Sequence, residues 1–281
     1  MIIKDTDNNL CLVNTVDESN NVLLKLNLNY LKQYSFFTGQ LVTFKGKNLN
    51  GNELIVEKYE CLYTLPFNDN VKKNDFVIEI IQNSSNILKT LSNDSVVIFL
   101  GCEISEDIKK WSYANKSNKI LHVPTLDSIN TINVFPQPPI YDDNIHIEKL
   151  SNPCELELNN NSIFINTLPV IDEIKENEVL KNEKCNNQIK CAQFLFKGDE
   201  LDRLIAHLLF QASFCPVFPS RYNIEYDDKI LEQKIHPDLY IIRSEKFPLF
   251  VRQSGPIHVI NIGLGNCKIN QKDGNIDVFN I

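Results

Sequence analysis

Residues 96–104 read "VVIFLGCEI": a run of apolar, strand-forming residues from Val96 to Leu100 ends at Gly101, and Cys102 follows. In α/β proteins ligands gather at the carboxyl ends of buried strands, so the residues just past such a strand decide what chemistry the fold can support. Neither Asp nor His stands at the end of this strand, where a metal ligand is expected. The stretch therefore predicts a catalytic type of architecture that has lost its chemistry.

Similar strands lie on both sides of it. "FVIEII" (76–81), "ILHVP" (120–124), "IFINTL" (163–168), "LYII" (239–242) and "IHVINIG" (257–263) alternate with longer, more polar connections. Continuous apolar strands of this kind belong in a sheet covered on both faces, and helices are expected to supply the cover. In "DELDRLIAHLLFQ" (199–211), Leu201, Leu204, Ile205, Leu208 and Leu209 form one buried stripe, opened by Asp199 and Glu200, whose charge favours a helix N-terminus. A layered α/β or α+β domain over residues 67–281 follows. The polar stretches 181–193 and 268–275 are expected to be mobile loops, and no internal repeat occurs.

Before Leu65-Pro66 the pattern differs. In "VLLKLNLNYL" (22–31), Leu24, Leu26 and Leu28 alternate with Lys25, Asn27 and Asn29, the period of two of a half-buried strand. "QLVTFKG" (40–46) and "ELIVEKYE" (53–60) are two more strands, and Asn50-Gly51 between them suits a tight hairpin turn. Several short strands in residues 1–66 predict a small closed barrel, of which the OB fold is the common small example.

Composition sets outer limits on function. The 281 residues are 43% hydrophobic and 23% charged, which reads as a folded chain. A net charge of -8 argues against gripping nucleic acid by its backbone, because phosphate neutralisation needs clustered Lys and Arg, and the arginines here are only Arg203, Arg221, Arg243 and Arg252. The N-terminus does not read as a signal peptide, and no apolar run approaches the roughly 20 residues that span a bilayer, so an intracellular chain with no membrane contact is predicted. The 8 cysteines have irregular spacing and no CxxC, which predicts free thiols. The closest pair, Cys185 and Cys191, leaves a zinc site with a remote ligand as an alternative, although structural zinc normally uses tighter pairs.

Sheet strand ends such as "IFLG", "HVPTLD" and "VINIG" invite comparison with metal-dependent phosphoesterases, which hold two ions with carboxylates, Asn and several His. The chain fails that comparison. His122, His146, His207, His236 and His258 make no HxH, DxH or GNH group. His122 and His258 lie in apolar strands and read as core histidines, whereas His207, off its helix's apolar stripe, is expected to face solvent or a partner. There is no GxSxG, HExxH or phosphate-binding glycine loop. Asp127 and Asp172, the only acids close to strand ends, read as turn or cap residues. In the barrel, Phe44 with Lys45 and Lys47 offers a small nucleic-acid contact, but core and solvated rim is the better reading, since acids slightly outnumber lysines over 1–66.

These segments, in this order, resemble a family: the B subunits of DNA polymerase alpha, within the wider group of B-family polymerase accessory subunits. "YSFFTGQLVTFKGKNLNGNELIVEKY" (34–59) is similar to the family's OB signature, and "VPTLDSINTINVFPQPPI" (123–140) to its segment ending in Pro-Gln-Pro-Pro. "LSNPCELELNNNSIFINTLPVIDEI" (150–174), "DRLIAHLLFQASFCPVFPS" (202–220) and "HPDLYIIRSEKFPLFVRQ" (236–253) resemble the segments that follow. Pro136-Gln137-Pro138-Pro139 and Pro237-Asp238 favour the alpha type over its delta and epsilon relatives. Asn261-Ile262-Gly263 departs from the family's closing Asn-Pro-Gly.

The resemblance implies an OB domain over 1–66 and an inactive, calcineurin-like phosphoesterase-type domain over 67–281, in a short form without the family's helical N-terminal domain. It implies no catalytic residues, no metal and no cofactor. The implied role is a noncatalytic scaffold in the nucleus that clasps the zinc-binding C-terminal domain of the polymerase catalytic subunit, reaches primase indirectly, and touches DNA weakly or indirectly. Phe214, Phe218, Tyr222 and Tyr226 are the candidate partner anchors, because interface energy concentrates in buried aromatics; sealing the domain's own core is the other reading for Phe214 and Phe218. An accessory subunit of polymerase delta or epsilon and a residual metal-dependent phosphoesterase stay open as alternatives.

Overall fold

A computed structural model describes residues 1–13, 22–60, 65–66, 74–83, 88, 90–127, 133–140, 143–144, 146–183, 195–226 and 228–281. In chain order the strands of the N-terminal part are β1 (Ile2–Lys4), β2 (Leu10–Leu12), β3 (Leu24–Asn27), β4 (Gln33–Phe36), β5 (Thr43–Asn48) and β6 (Glu53–Glu60). They are followed by β7 (Phe76–Ile81), β8 (Val96–Leu100), α1 (Glu106–Ala114), β9 (Lys119–Val123), β10 (Glu148–Lys149), β11 (Cys154–Leu158) and β12 (Asn161–Asn166). Next come α2 (Val170–Asn177), β13 (Val179–Asn182), α3 (Glu200–Phe210) and α4 (Asp228–Leu231). The chain ends in β14 (Leu239–Ile242), β15 (Phe250–Ser254), β16 (Ile257–Asn261), β17 (Cys267–Lys272) and β18 (Asn275–Asn280). The fold is mixed α/β, mostly sheet with few helices.

Two compact units arise, and they interleave in sequence: Met1–Leu65 with Val170–Arg221, and Pro66–Pro169 with Tyr222–Ile281. In the first unit a sheet runs β1-β2-β3-β6-β5, with β3 and β6 parallel and the other pairs antiparallel. β1 is also tied to the turn that precedes β5. Gly39 N–H donates to Ile2 O at 2.8 Å, and Ile2 N–H donates to Gln40 O at 3.0 Å. β4 instead pairs antiparallel with β13, Phe36 facing Val179. The core gathers Ile2, Leu26, Leu31, Phe36, Val56 and Tyr59, with Leu195 and Ala206 from the second segment. Phe36 meets Tyr59 edge-on at 4.7 Å, a favoured geometry for aromatic pairs. The helix read from residues 199–211 forms as expected, and its Ala206 belongs to this core.

In the second unit a six-stranded sheet, β10-β9-β8-β7-β17-β18, and a five-stranded sheet, β11-β12-β14-β16-β15, contribute to one core. Ile78, Ile98, Leu121 and Ile269 of the first meet Ile163, Leu239, Ile241 and Ile260 of the second in that cluster. On the other face of the six-stranded sheet, Ile108 of α1 packs with Val97, Phe99 and Ile120. Ser105 caps α1 by accepting the Ile108 N–H, which satisfies one of the orphan donors of a first helical turn.

The stretch 268–275 is not a loop. It lies in β17, β18 and the turn between them, with Cys267, Ile269 and Gln271 buried and Lys268, Asn270 and Lys272 on the opposite face. The polar residues hide a period of two, and the turn uses positive φ at Asp273 and Gly274, a conformation Gly and Asp tolerate. Of 181–193, Lys181 and Asn182 are in β13 and the remainder from 184 lies outside the described residues, as do Cys185 and Cys191.

Candidate functional site

The strand ends of the second unit are occupied by side chains that hold backbone. β8 delivers the chain to Gly101, where a Cβ would stand 2.3 Å from Thr125 Oγ1 and where φ is +68°. Only glycine fits so close an approach in that conformation. Cys102 donates its thiol to Ile81 O at 3.6 Å, and burial pushes its pKa up to about 12. Burial thus favours the protonated thiol, the form that is a poor nucleophile. His122 is buried with Nε2 3.1 Å from Cys102 O, the core role its sequence context predicts.

Amides fill the neighbouring ends. Asn152 Nδ2 donates to Gln137 Oε1 at 2.9 Å and to Thr167 Oγ1 at 2.6 Å, its Oδ1 accepts Thr167 N–H, and Gln137 Nε2 donates to Thr125 O. Past β14 and β16, Asn261 Oδ1 accepts Ser244 N–H at 2.7 Å while Nδ2 donates to Phe247 O and Pro248 O. Asp127 pairs with Arg243 at 2.9 Å, and Asp172 is buried in the first turn of α2. Among the described residues no group of His, Cys, Asp or Glu is placed to hold a metal ion. What the arrangement does is fix loops through buried hydrogen bonds.

The aromatic candidates divide by environment. In the first unit Phe214 is 2% exposed and lies in the interior, whereas Phe218 is 40% exposed. In the second unit Tyr222 is half-buried and Tyr226 is 49% exposed. Phe218, Tyr222 and Tyr226 are therefore the accessible members of the set.

The first unit also contains a buried polar network. His207 is 1% exposed and does not face solvent or a partner. Phe37 N–H donates to Gln40 Oε1, which turns Gln40 Nε2 toward His207 Nδ1 at 3.4 Å. With a donor facing Nδ1, the neutral ring carries its proton on Nε2 and gives it to Ser35 Oγ at 2.6 Å. Ser35 in turn donates to Glu178 Oε1 at 2.5 Å, and Arg203 grips both Glu178 oxygens at 2.6 and 3.1 Å. The serine proton points to a carboxylate and the imidazole is a donor, so the trio of Ser, His and Glu is not wired to activate a nucleophile. Burial, only partly offset by the Glu178 charge, lowers the His207 pKa to about 4. Burial alone raises the Glu178 carboxyl, but hydrogen bonds from Arg203 and Ser35 and the Arg203 charge hold it below its usual value.

Sequence reading missed Ser35, Glu178 and Arg203. The available signal was Arg203 and His207, four residues apart on one side of an otherwise apolar helix, a polar seam that needs partners when buried.

Comparison with known proteins gives two family matches. Residues 75–252 match the model of the DNA polymerase alpha/epsilon B subunit, and residues 5–62 match that of the OB domain of the DNA polymerase alpha B subunit. Among curated relatives, the chain is similar to the DNA polymerase alpha B subunit of Rattus norvegicus, 22% identical over 279 residues, covering 82% of this chain and 44% of that protein. The Bos taurus protein of the same name is 20% identical over 280 residues, with 82% and 44% covered, and that of Mus musculus 21% over 272 residues, with 79% and 43% covered. The chain spans less than half the length of these relatives.

Proposed function

The chain belongs to the B-subunit family of DNA polymerases alpha and epsilon, and from that premise we propose that it is the noncatalytic accessory B subunit of a DNA polymerase alpha-primase complex. In this reading residues 1–66 carry the OB domain, with 170–221 packed in the same unit, and the rest of 67–281 is an inactive phosphoesterase-like domain. Together they scaffold the catalytic subunit through its C-terminal zinc-binding domain, in the nucleus, during primer synthesis, and reach primase indirectly. The observation that carries it is the pair of matches in family order, the second specific to the alpha type. That second match also favours alpha over the epsilon alternative.

The strand-end amides support the noncatalytic part. Asn152, Gln137 and Asn261 already spend their hydrogen bonds on loop backbone and on one another, and a water-activating ion pair needs such groups free to coordinate. Phe218, Tyr222 and Tyr226 are the proposed partner contacts, whereas Phe214, 2% exposed, belongs to the interior. A chain with net charge -8 suits a basic protein partner and does not compete for DNA.

Co-expression with the polymerase alpha catalytic subunit of the same organism tests the proposal. A stable complex on size exclusion is expected, together with no manganese-stimulated hydrolysis of a generic phosphodiester above a buffer control. Hydrolysis that follows the purified chain and disappears on its removal would revive the phosphoesterase alternative.

A further inference from the structure

One short segment of the first unit is held from two sides. Phe218 donates its backbone N–H to Thr38 O at 3.0 Å. Gly39, at φ +97°, comes so close that a Cβ there would stand 2.4 Å from Phe218 N and from Pro216 O. No L side chain tolerates both that conformation and that approach. From the other side Glu173 accepts Ser220 Oγ–H at 2.8 Å and Arg221 N–H at 2.8 Å. At the first clamp Pro216 and Val217 are buried, while Phe218, next toward the second, is 40% exposed. On the same turn Leu41 is 56% exposed, and its backbone N–H is fixed by Gln211 Oε1 at 2.8 Å. Two large apolar side chains are thus displayed on backbone that is pinned.

An exposed group on fixed backbone loses little freedom on docking, which is what makes an anchor effective. We propose that the Thr38–Leu41 turn and the Phe214–Arg221 segment form one docking edge, with Leu41 and Phe218 as its apolar contacts and Gly39 as the positioning residue that sets where Phe218 stands. The occupant is the polymerase catalytic subunit, the partner that the accessory-subunit reading implies, and not a second copy of this chain, since two copies each carrying -8 repel one another. The proposal rests on the accessory-subunit reading above.

The test is a titration of the full chain against the purified polymerase alpha catalytic subunit of its own organism, read by biolayer interferometry. Phe218→Ala and Leu41→Ala are each expected to weaken binding about tenfold, the loss of an ordinary anchor. Gly39→Ala is expected to match the Phe218→Ala loss, and the double variant Gly39→Ala/Phe218→Ala to be no weaker than either alone. Gly51→Ala is the control: it too replaces a glycine with positive φ, at +83°, but has nothing within 4 Å of a new Cβ, and it is expected to bind as wild type. If Gly39→Ala does not fold, Glu173→Gln loosens the second clamp, and its loss of affinity is expected to vanish in the Phe218→Ala background. Additive losses in either double variant overturn the positioning role. Wild-type affinity in both Phe218→Ala and Leu41→Ala overturns the docking edge while leaving the accessory reading intact, and a wild-type chain that does not bind overturns both.

Discussion

His207 titrates against the fold. Its pKa is lowered by burial from 6.5 to about 4, so between those values the unfolded chain binds a proton that the folded chain refuses. Its stabilising contribution is therefore complete above pH 6.5 and is lost as pH falls toward 4, a total of about 3 kcal/mol for a shift of this size. Glu178, held below its usual pKa, acts in the same direction at lower pH: its contribution is present above the unfolded value and lost as pH falls through the folded one. Urea unfolding is expected to give a flat free energy above pH 7 and a decline below 6.5. His207→Gln, which keeps a donor for Ser35 and does not titrate, should flatten the part of that decline between 6.5 and 4. A His207→Gln profile that falls as steeply as wild type would assign the decline to other groups, of which His236, also lowered by burial, is the first candidate.

Glu178→Ala is expected to be the harsher change. It leaves Arg203, whose side chain is 10% exposed, without its carboxylate, and removing one partner of a buried pair costs about 3–5 kcal/mol. The measurement is the denaturant midpoint at pH 7. Little of this was legible in the chain, because Ser35 and His207 are 172 residues apart in sequence and no local pattern joins them. Burial of His207 follows from tertiary packing, and a helical wheel alone places it outside the apolar stripe.

Elements were legible where their patterns are strong. "ELIVEKYE", "FVIEII" and "LYII" form β6, β7 and β14 with the bounds read from sequence, since continuous or alternating apolar runs bounded by turn residues leave little choice. The helix at 199–211 was legible for its stripe and its acidic opening. Asp199 accepts Asp202 N–H at 2.9 Å, and Asp202 returns the contact to Asp199 N–H at 3.1 Å. Such a reciprocal cap is worth about 1 kcal/mol, so Asp199→Ala is expected to lower stability by that amount, read from thermal unfolding at fixed pH with Glu106→Ala in the first turn of α1 as a control near zero. β17 and β18 were missed because Lys268, Asn270 and Lys272 make the strand look polar throughout, although its buried residues keep the period of two. β4 and β13 pair across 143 residues, and neither strand alone signals the other.

At the scale of the whole molecule, the first unit cannot be cut at residue 66 without opening its core. A chain of about 60 residues buries too little surface for much independent stability, and this one would lose Leu195 and Ala206 from its apolar cluster and β13 from the free edge of β4. The same cut removes Glu178, Arg203 and His207, taking from the fully buried Ser35 its contacts with Glu178 and His207 and from Gln40 its contact with His207. Each buried polar group left without a partner costs about 1–3 kcal/mol, which together with the lost apolar cover exceeds what so small a domain holds in reserve. Residues 1–66 expressed alone are therefore expected to lack amide dispersion in a proton-nitrogen correlation spectrum, and a fragment of residues 170–221 added in trans should restore it, because it returns β13, the helix pair and the buried network at once. Dispersed signals from 1–66 alone would show the five-stranded sheet to be self-sufficient, and would demote the second segment from part of the core to a cover.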